Sequence, residues 1–169
     1  TVNVVDTTAP VITITGDNPA TVELGASYTD EGATADGGET VTSTSTVDTS
    51  AVGTYTVTYS ATDAAGNEAT EVVRTVNVVD TTAPVITITG DNPATVVVGS
   101  LYIDAGATAD DGSTVSSTSD VDTSTIGTYS VVYVATDASG NIGTATRTVD
   151  VIADDDDDDT GTGTGTGTG

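Results

Sequence analysis

The sequence predicts an all-β protein: two tandem β-sandwiches followed by an acidic, Thr-Gly low-complexity tail. Three observations support this prediction. The chain repeats itself, its apolar residues alternate with polar ones, and it is rich in Thr and Val between clusters of Gly, Asp and Asn. Because β-branched residues fit a pleated sheet better than a helix, the composition favours strands. The spacing of apolar residues nowhere favours a helix.

The internal repeat defines the domains. Residues 1–22 recur unchanged at 75–96, and one residue is lost late in the second copy, so that Arg74 matches Arg147. We therefore divide the chain into unit 1, residues 6–79, and unit 2, residues 80–152. Residues 1–5 are expected to be the closing strand of a preceding repeat in a longer chain. Residues 153–169, an aspartate run and a Thr-Gly stretch, are expected to form a linker or tail.

Alternation identifies the strands within a unit. The clearest strand is 55–61, in which Tyr55, Val57, Tyr59 and Ala61 share one face and hydroxyl residues the other. This period of two is typical of a half-buried strand. The segment 63–67, Asp-Ala-Ala-Gly-Asn, then predicts a tight hairpin turn, and 69–79 is expected to be the closing strand.

Composition excludes several classes of function. The net charge is −24, with two cationic residues and no His or Cys. Such a polyanion repels nucleic acid and anionic membrane surfaces. Without His, Cys or Lys the chain lacks the usual general base, thiolate ligands and Schiff-base amine. We therefore expect no enzymatic activity. No apolar run approaches the roughly 20 residues that span a bilayer.

Several motifs carry a specific resemblance. Asp-Thr-Thr-Ala-Pro-Val-Ile opens each unit, Gly-Ala-Thr-Ala lies in its middle, and in unit 1 Gly-Thr-Tyr-Thr-Val-Thr-Tyr and Asp-Ala-Ala-Gly-Asn close it. Over residues 6–152 these motifs resemble the tandem bacterial immunoglobulin-like (HYR-like) repeats of secreted and surface-anchored proteins. The resemblance implies an immunoglobulin-like sandwich that serves as a stalk or adhesin module. It places Tyr55 at a tyrosine corner and Val57 where immunoglobulin domains carry a cysteine.

Related sandwich repeats often bind calcium, which takes about six to eight oxygen ligands. In an immunoglobulin-like sandwich the first strand begins at the same end as the B–C loop and the F–G turn. The ligands predicted in unit 1 are Asp6, Asp30, Asp36, Asp63 and Asn67. Those predicted in unit 2, at the junction between units, are Asp80, Asp104, Asp110, Asp137 and Asn141. As an alternative, Asp63 and Asn67 only stabilise their hairpin turn.

The function expected from these features is that of a non-catalytic extracellular structural module. It would be a stalk or fibre segment of a bacterial surface adhesin, stiffened by calcium, with neighbouring repeats or identical subunits as partners. One alternative is a self-assembling extracellular filament in which residues 1–5 or the tail add a strand to another subunit. Another is a carbohydrate-binding accessory domain of a secreted hydrolase, disfavoured because the chain has no Trp or Phe.

Overall fold

The computed structural model describes residues 1–154, and the predictions for the aspartate run and the Thr-Gly stretch lie outside them. The chain divides into two compact units, and the boundary between them in the sequence lies between Thr81 and Thr82. All regular structure in the described residues is β, which confirms the predicted fold class. Residues 1–154 contain no helix with the length and apolar character needed to cross a membrane.

Six strands build each unit. Those of unit 1 are β1 Ile12–Ile14, β2 Ala20–Glu23, β3 Ala33–Ala35, β4 Thr42–Ser45, β5 Gly53–Ser60 and β6 Val72–Val79. Those of unit 2 are β7 Ile86–Ile88, β8 Ala94–Val97, β9 Ala107–Ala109, β10 Val115–Ser119, β11 Gly127–Thr136 and β12 Ile142–Ile152.

Each unit has a four-stranded and a two-stranded sheet. In unit 1 the strand order is β2-β6-β5-β4, and β1 pairs with β3. In unit 2 the corresponding orders are β8-β12-β11-β10 and β7-β9. The pairs β2–β6 and β8–β12 are parallel, whereas all other pairs are antiparallel. A strand from the start of each unit thus pairs with the strand that ends it.

The core lies between the two sheets. Val57, Tyr59 and Val76 are at most 1% exposed and pack with Ile12 of the two-stranded sheet. The buried face of β5 is therefore the face that alternation predicted. Val57 takes the cysteine position through apolar contacts alone, which give no covalent link between the sheets.

The predicted tyrosine corner is present in both units. Tyr55 Oη donates to the carbonyl of Ala51 at 2.9 Å, and Tyr129 Oη donates to the carbonyl of Thr125 at 3.0 Å. Each bond spans four residues, and it fixes the chain where it enters the long central strand.

The predicted hairpin turn is also present. Asp63 N donates to the carbonyl of Asn67 at 3.1 Å, and Gly66 adopts a φ of +91°, which a glycine tolerates. The closing strand, expected over 69–79, instead begins at Val72. Ala69 N still donates to the Ala61 carbonyl at 2.9 Å, but Thr70 and Glu71 leave the ladder because this side of the hairpin holds one extra residue.

Candidate functional site

The loop end of unit 1 gathers four of the five predicted ligand residues. Asp6, Asp36 and Asp63 line one open cavity of about 250 Å³. The side-chain amide of Asn67 joins them by donating to Asp63 Oδ2 at 2.7 Å and to the backbone carbonyl of Asp6 at 3.3 Å. We call this group of Asp6, Asp36, Asp63 and Asn67 the rim of unit 1.

The rim carboxylates already bind backbone. Asp6 Oδ1 accepts from Thr8 N at 2.9 Å, and Asp36 Oδ1 accepts from Val11 N at 2.8 Å. The side-chain amide of Asn67 lowers the pKa of Asp63 from its ordinary value, and backbone N–H groups of the turn add to this effect. Within residues 1–154 no three acidic side chains are grouped closely enough to hold a metal ion. In the present geometry, the side chains of the rim therefore stabilise the loops that carry them by hydrogen bonds to backbone N–H groups.

Sequence reasoning missed Glu39, which also lines this cavity. Its Oε2 atom is buried and has no hydrogen-bond partner in the described part of the chain. A buried carboxylate oxygen without a partner is costly, since it has lost its hydration. Unit 2 has Ser113 at the matching position, so this feature belongs to unit 1.

Asp30 lies apart from the rim. It lies in the irregular segment before β3. Its Oδ1 atom is 3.1 Å from Arg74 Nε and accepts hydrogen bonds from Tyr59 Oη at 2.7 Å and Tyr28 Oη at 3.1 Å. Burial and the bond to Asp30 together raise the pKa of Tyr59, so the phenol stays protonated as a donor. Asp30 thus belongs to an ion pair.

Arg74 joins the two sheets of unit 1 from inside the core. We call Arg74 and its partners Asp30, Tyr28 and Tyr59 the core lock. Its side chain is 1% exposed, and it donates to the backbone carbonyls of Thr15, Asp17 and Gly32 in addition to the ion pair. These bonds tie β6 of one sheet to the segments that flank β1 and β3 of the other. The only sequence signal was that the chain's two cationic residues occupy matching positions in the two copies.

Unit 2 repeats the core lock with fewer bonds. Arg147 Nε stands 3.4 Å from Asp104 Oδ1 and makes no hydrogen bond among the described residues. Asp104 Oδ1 accepts a hydrogen bond from Tyr133 Oη at 2.6 Å and another from Tyr102 Oη at 3.1 Å. Burial, followed by the bond to Asp104, raises the pKa of Tyr133 to about 12. Arg147 also donates to the carbonyls of Thr89 and Gly106.

Asp110, Asp137 and Asn141 of unit 2 support loops. Asp110 Oδ1 accepts from Val85 N at 2.8 Å, and Asn141 Nδ2 donates to Asp137 Oδ2 at 2.8 Å. Asp80 lies between β6 and β7. Asp104, like Asp30, belongs to the arginine pair.

Two sandwiches with tyrosine corners and an edge strand parallel to the closing strand define an immunoglobulin-like protein. The family model described as bacterial surface protein, Ig-like domain, matches residues 12–78 and 86–151. The chain belongs to this family, which confirms the resemblance seen in the sequence. The family is one of surface-protein domains and is not an enzyme family.

Two individual proteins are similar to the chain. Hyalin of Strongylocentrotus purpuratus is 37% identical over 183 residues. That match covers 90% of this chain and 14% of hyalin, so the chain spans a small part of that relative. A lipoprotein of known structure from Bacteroides thetaiotaomicron matches with a TM-score of 0.37 and 16% identity, over 83% of this chain and 79% of that one.

Proposed function

We propose that the chain is a non-catalytic spacer of an extracellular bacterial surface protein, a segment of a stalk or adhesin. The family match across both units is the observation that carries the proposal. The core lock supports it, because each unit ties its two sheets together through a buried arginine without a disulfide. A tandem array in which each unit is stable by itself resists pulling unit by unit.

Pulling the full chain by atomic force microscopy tests the mechanical role. We expect two unfolding events, one for each unit, each lengthening the chain by roughly 200–250 Å from the reach of about 70 extended residues. Antibodies against the chain should label intact cells of the organism that produces it. A single weak extension without force peaks, or labelling only after lysis, would contradict the proposal.

Calcium binding is a second part of the proposal, now restricted to the rim of unit 1. Its support is the shared cavity of Asp6, Asp36 and Asp63, the buried Glu39 oxygen, and the high negative charge that a cation would offset. The acidic groups would have to move closer together, since none of the described clusters has metal-binding spacing. Asp30 and Asp104 are left out because a guanidinium already neutralises them.

A melting experiment tests the calcium proposal. A ligand present at about 100 times its dissociation constant stabilises the folded state by about 2.7 kcal/mol. We expect calcium to raise the melting temperature of unit 1, EDTA to reverse the rise, and Glu39→Gln to reduce it. Asp17→Asn, at an exposed turn, is the matched control. Identical melting curves in calcium and EDTA would remove calcium from the proposal.

The role of Thr1–Val5 is a third part of the proposal. Val2 and Val4 are 90% and 93% exposed, whereas the identical residues Val76 and Val78 of β6 are 0% and 1% exposed. We propose that Thr1–Val5 closes the sandwich of a preceding unit of the same chain. The second candidate function, a self-assembling filament, uses this segment to pair with another subunit.

Sedimentation separates the two candidates. A filament subunit should form larger species as the concentration of the full chain rises, and Val2→Thr with Val4→Thr should abolish them. A spacer should remain monomeric at every concentration. The carbohydrate-binding alternative gains no support, since all six tyrosines are buried or half-buried and offer no exposed ring for a sugar.

A further inference from the structure

The carboxylate of Glu23 holds the chain where it leaves unit 1. Glu23 is the last residue of β2 and pairs in the sheet with Val79, the last residue of β6. Beyond that pair, Glu23 Oε1 accepts from Thr81 N at 2.7 Å and Oε2 accepts from Thr81 Oγ1 at 2.9 Å. One side chain thereby holds the backbone two residues past the end of β6.

Unit 2 provides a natural comparison. The backbone at this point is the same in both units: Leu24 N donates to Val79 O at 2.7 Å, and Val98 N donates to Ile152 O at 2.8 Å. The side chains differ, because Val97 replaces the glutamate and Asp154 stands at the position of the threonine. Both residues of the pair therefore differ between the two units, whereas the backbone hydrogen bond beside them is the same.

The paired change follows from charge and hydrogen bonding. A carboxylate accepts two hydrogen bonds from a threonine, whose amide and hydroxyl both donate. Opposite an aspartate the same carboxylate would face a like charge and lose the hydroxyl donor. Glutamate with threonine and valine with aspartate are each compatible pairs, whereas glutamate with aspartate is not.

We propose that the Glu23–Thr81 pair is a linker clamp that restricts motion of the chain between the two units. In unit 2 the matching pair is Val97 and Asp154, in which the valine has no carboxylate to accept these bonds. In a tandem array the residue at the end of the second strand then sets the stiffness of each joint separately. This inference rests on the proposed spacer function, but it concerns a contact that can be measured on the isolated full-length chain.

Amide exchange and ¹⁵N relaxation of the full chain test the clamp. Glu23→Val should speed exchange of the Thr81 amide by about tenfold, the worth of a charge-assisted hydrogen bond on a partly exposed site. Heteronuclear NOE values at positions 81 and 82 should fall. Glu23→Gln keeps one acceptor oxygen and should give an intermediate effect. The matched gain-of-function variant is Val97→Glu with Asp154→Thr, which should protect the amide at position 154.

The clamp is overturned if the Thr81 amide exchanges at the same rate in the parent chain and in both Glu23 variants while the other amides of unit 1 stay protected. It is also overturned if the double variant in unit 2 adds no protection at position 154. Neither result bears on surface labelling or on the two force peaks. Failure of the clamp can therefore be told apart from failure of the spacer proposal.

Discussion

The two units share 17 identical opening residues, 6–22 and 80–96, and one strand order, yet they close their central hairpin differently. In unit 2 the ladder between β11 and β12 runs in constant register from Thr136↔Ile142 to Gly127↔Val151. In unit 1 the bridge Thr62↔Glu68 and the pair Tyr59↔Val72 differ in register by one residue. The extra residue that the sequence alignment of the copies reveals is therefore accommodated as a β-bulge at Thr70 and Glu71.

The bulge changes packing beneath it. In unit 1 a cavity of about 330 Å³ lies between residues 9–12 and residues 70–72. In unit 2 Gly143 takes the position of Ala69, and it packs so closely on Pro84 that a Cβ there would overlap the Pro84 carbonyl oxygen. A straight hairpin therefore requires glycine at this position. A bulge gives room for alanine, and in unit 1 it lies beside the cavity.

Both units contain the core lock, but its arginine makes fewer hydrogen bonds in unit 2 than in unit 1. Arg74 makes a hydrogen bond from Nε to Tyr59 Oη at 3.0 Å, whereas Arg147 Nε makes no such bond in the described residues. Arg147 instead lies over the ring of Tyr133, 6.0 Å from its centroid. Unit 1 therefore has the arginine with more hydrogen bonds and the hairpin with the bulge. Variants at each place can separate their effects on stability.

The largest expected effect comes from removing the arginines. Arg74→Ala leaves Asp30 and three carbonyls without their cation, and breaking a buried pair in this way costs about 3–5 kcal/mol. Arg147→Ala should cost less, since that site makes fewer bonds. Urea titrations followed by assigned amide signals measure each unit separately in the full chain.

A double variant checks the cause. Asp30→Asn with Arg74→Met removes both charges and should be less damaging than Arg74→Ala, because no uncompensated carboxylate remains. Equal losses in the two units, or a double variant as unstable as the single one, would break the proposed difference between the two locks.

The next effect is expected at the straight hairpin. Gly143→Ala forces a methyl group against the Pro84 carbonyl and should destabilise unit 2 by about 1–3 kcal/mol, the usual cost of overpacking. Thr144→Ala, at the adjacent exposed position, is the control and should change little. The same urea titration reports both variants, and a neutral Gly143→Ala would show that the strand can shift without a bulge.

A smaller effect should follow from converting one hairpin into the other. Deleting Thr70 removes the extra residue of unit 1, and Ala69→Gly supplies the glycine that the straight form needs. We expect the combined variant to change stability by less than about 1 kcal/mol, because the bulge is removed and the glycine avoids overlap with the Pro10 carbonyl. Deleting Thr70 alone should be worse, since Ala69 would meet the carbonyl of Pro10. Amide exchange at Glu71 should slow only in the combined variant.

Much of this architecture could be predicted from the sequence because its signals are local. Alternation located the buried face of β5, and the spacing of Asp63, Gly66 and Asn67 located the turn. The core lock could not be predicted, because Arg74 and Asp30 are far apart in sequence and neither motif nor alternation pairs them. For the same reason the sequence could not show that Asp30 pairs with an arginine. The carboxylate of Asp30 predicted a cation as its partner. Only the folded structure shows that this cation is the guanidinium of Arg74.

The smallest expected effect concerns the hairpin turns, which are the same in both units. The side-chain amides of Asn67 and Asn141 lower the pKa of Asp63 and Asp137, with help from backbone N–H groups. Because the folded pKa lies below the unfolded one, near 3.9, this stabilisation is present above that pH and is lost as the pH falls through the folded value. Asn67→Ala should move the carboxyl titration of Asp63 upward toward its ordinary value and weaken unit 1 between about pH 4 and 7, while Asp137 serves as an unchanged internal reference. Carbon-detected NMR titration of the aspartate carboxyls measures both, and an unchanged Asp63 titration would mean that the backbone N–H groups of the turn alone set this pKa.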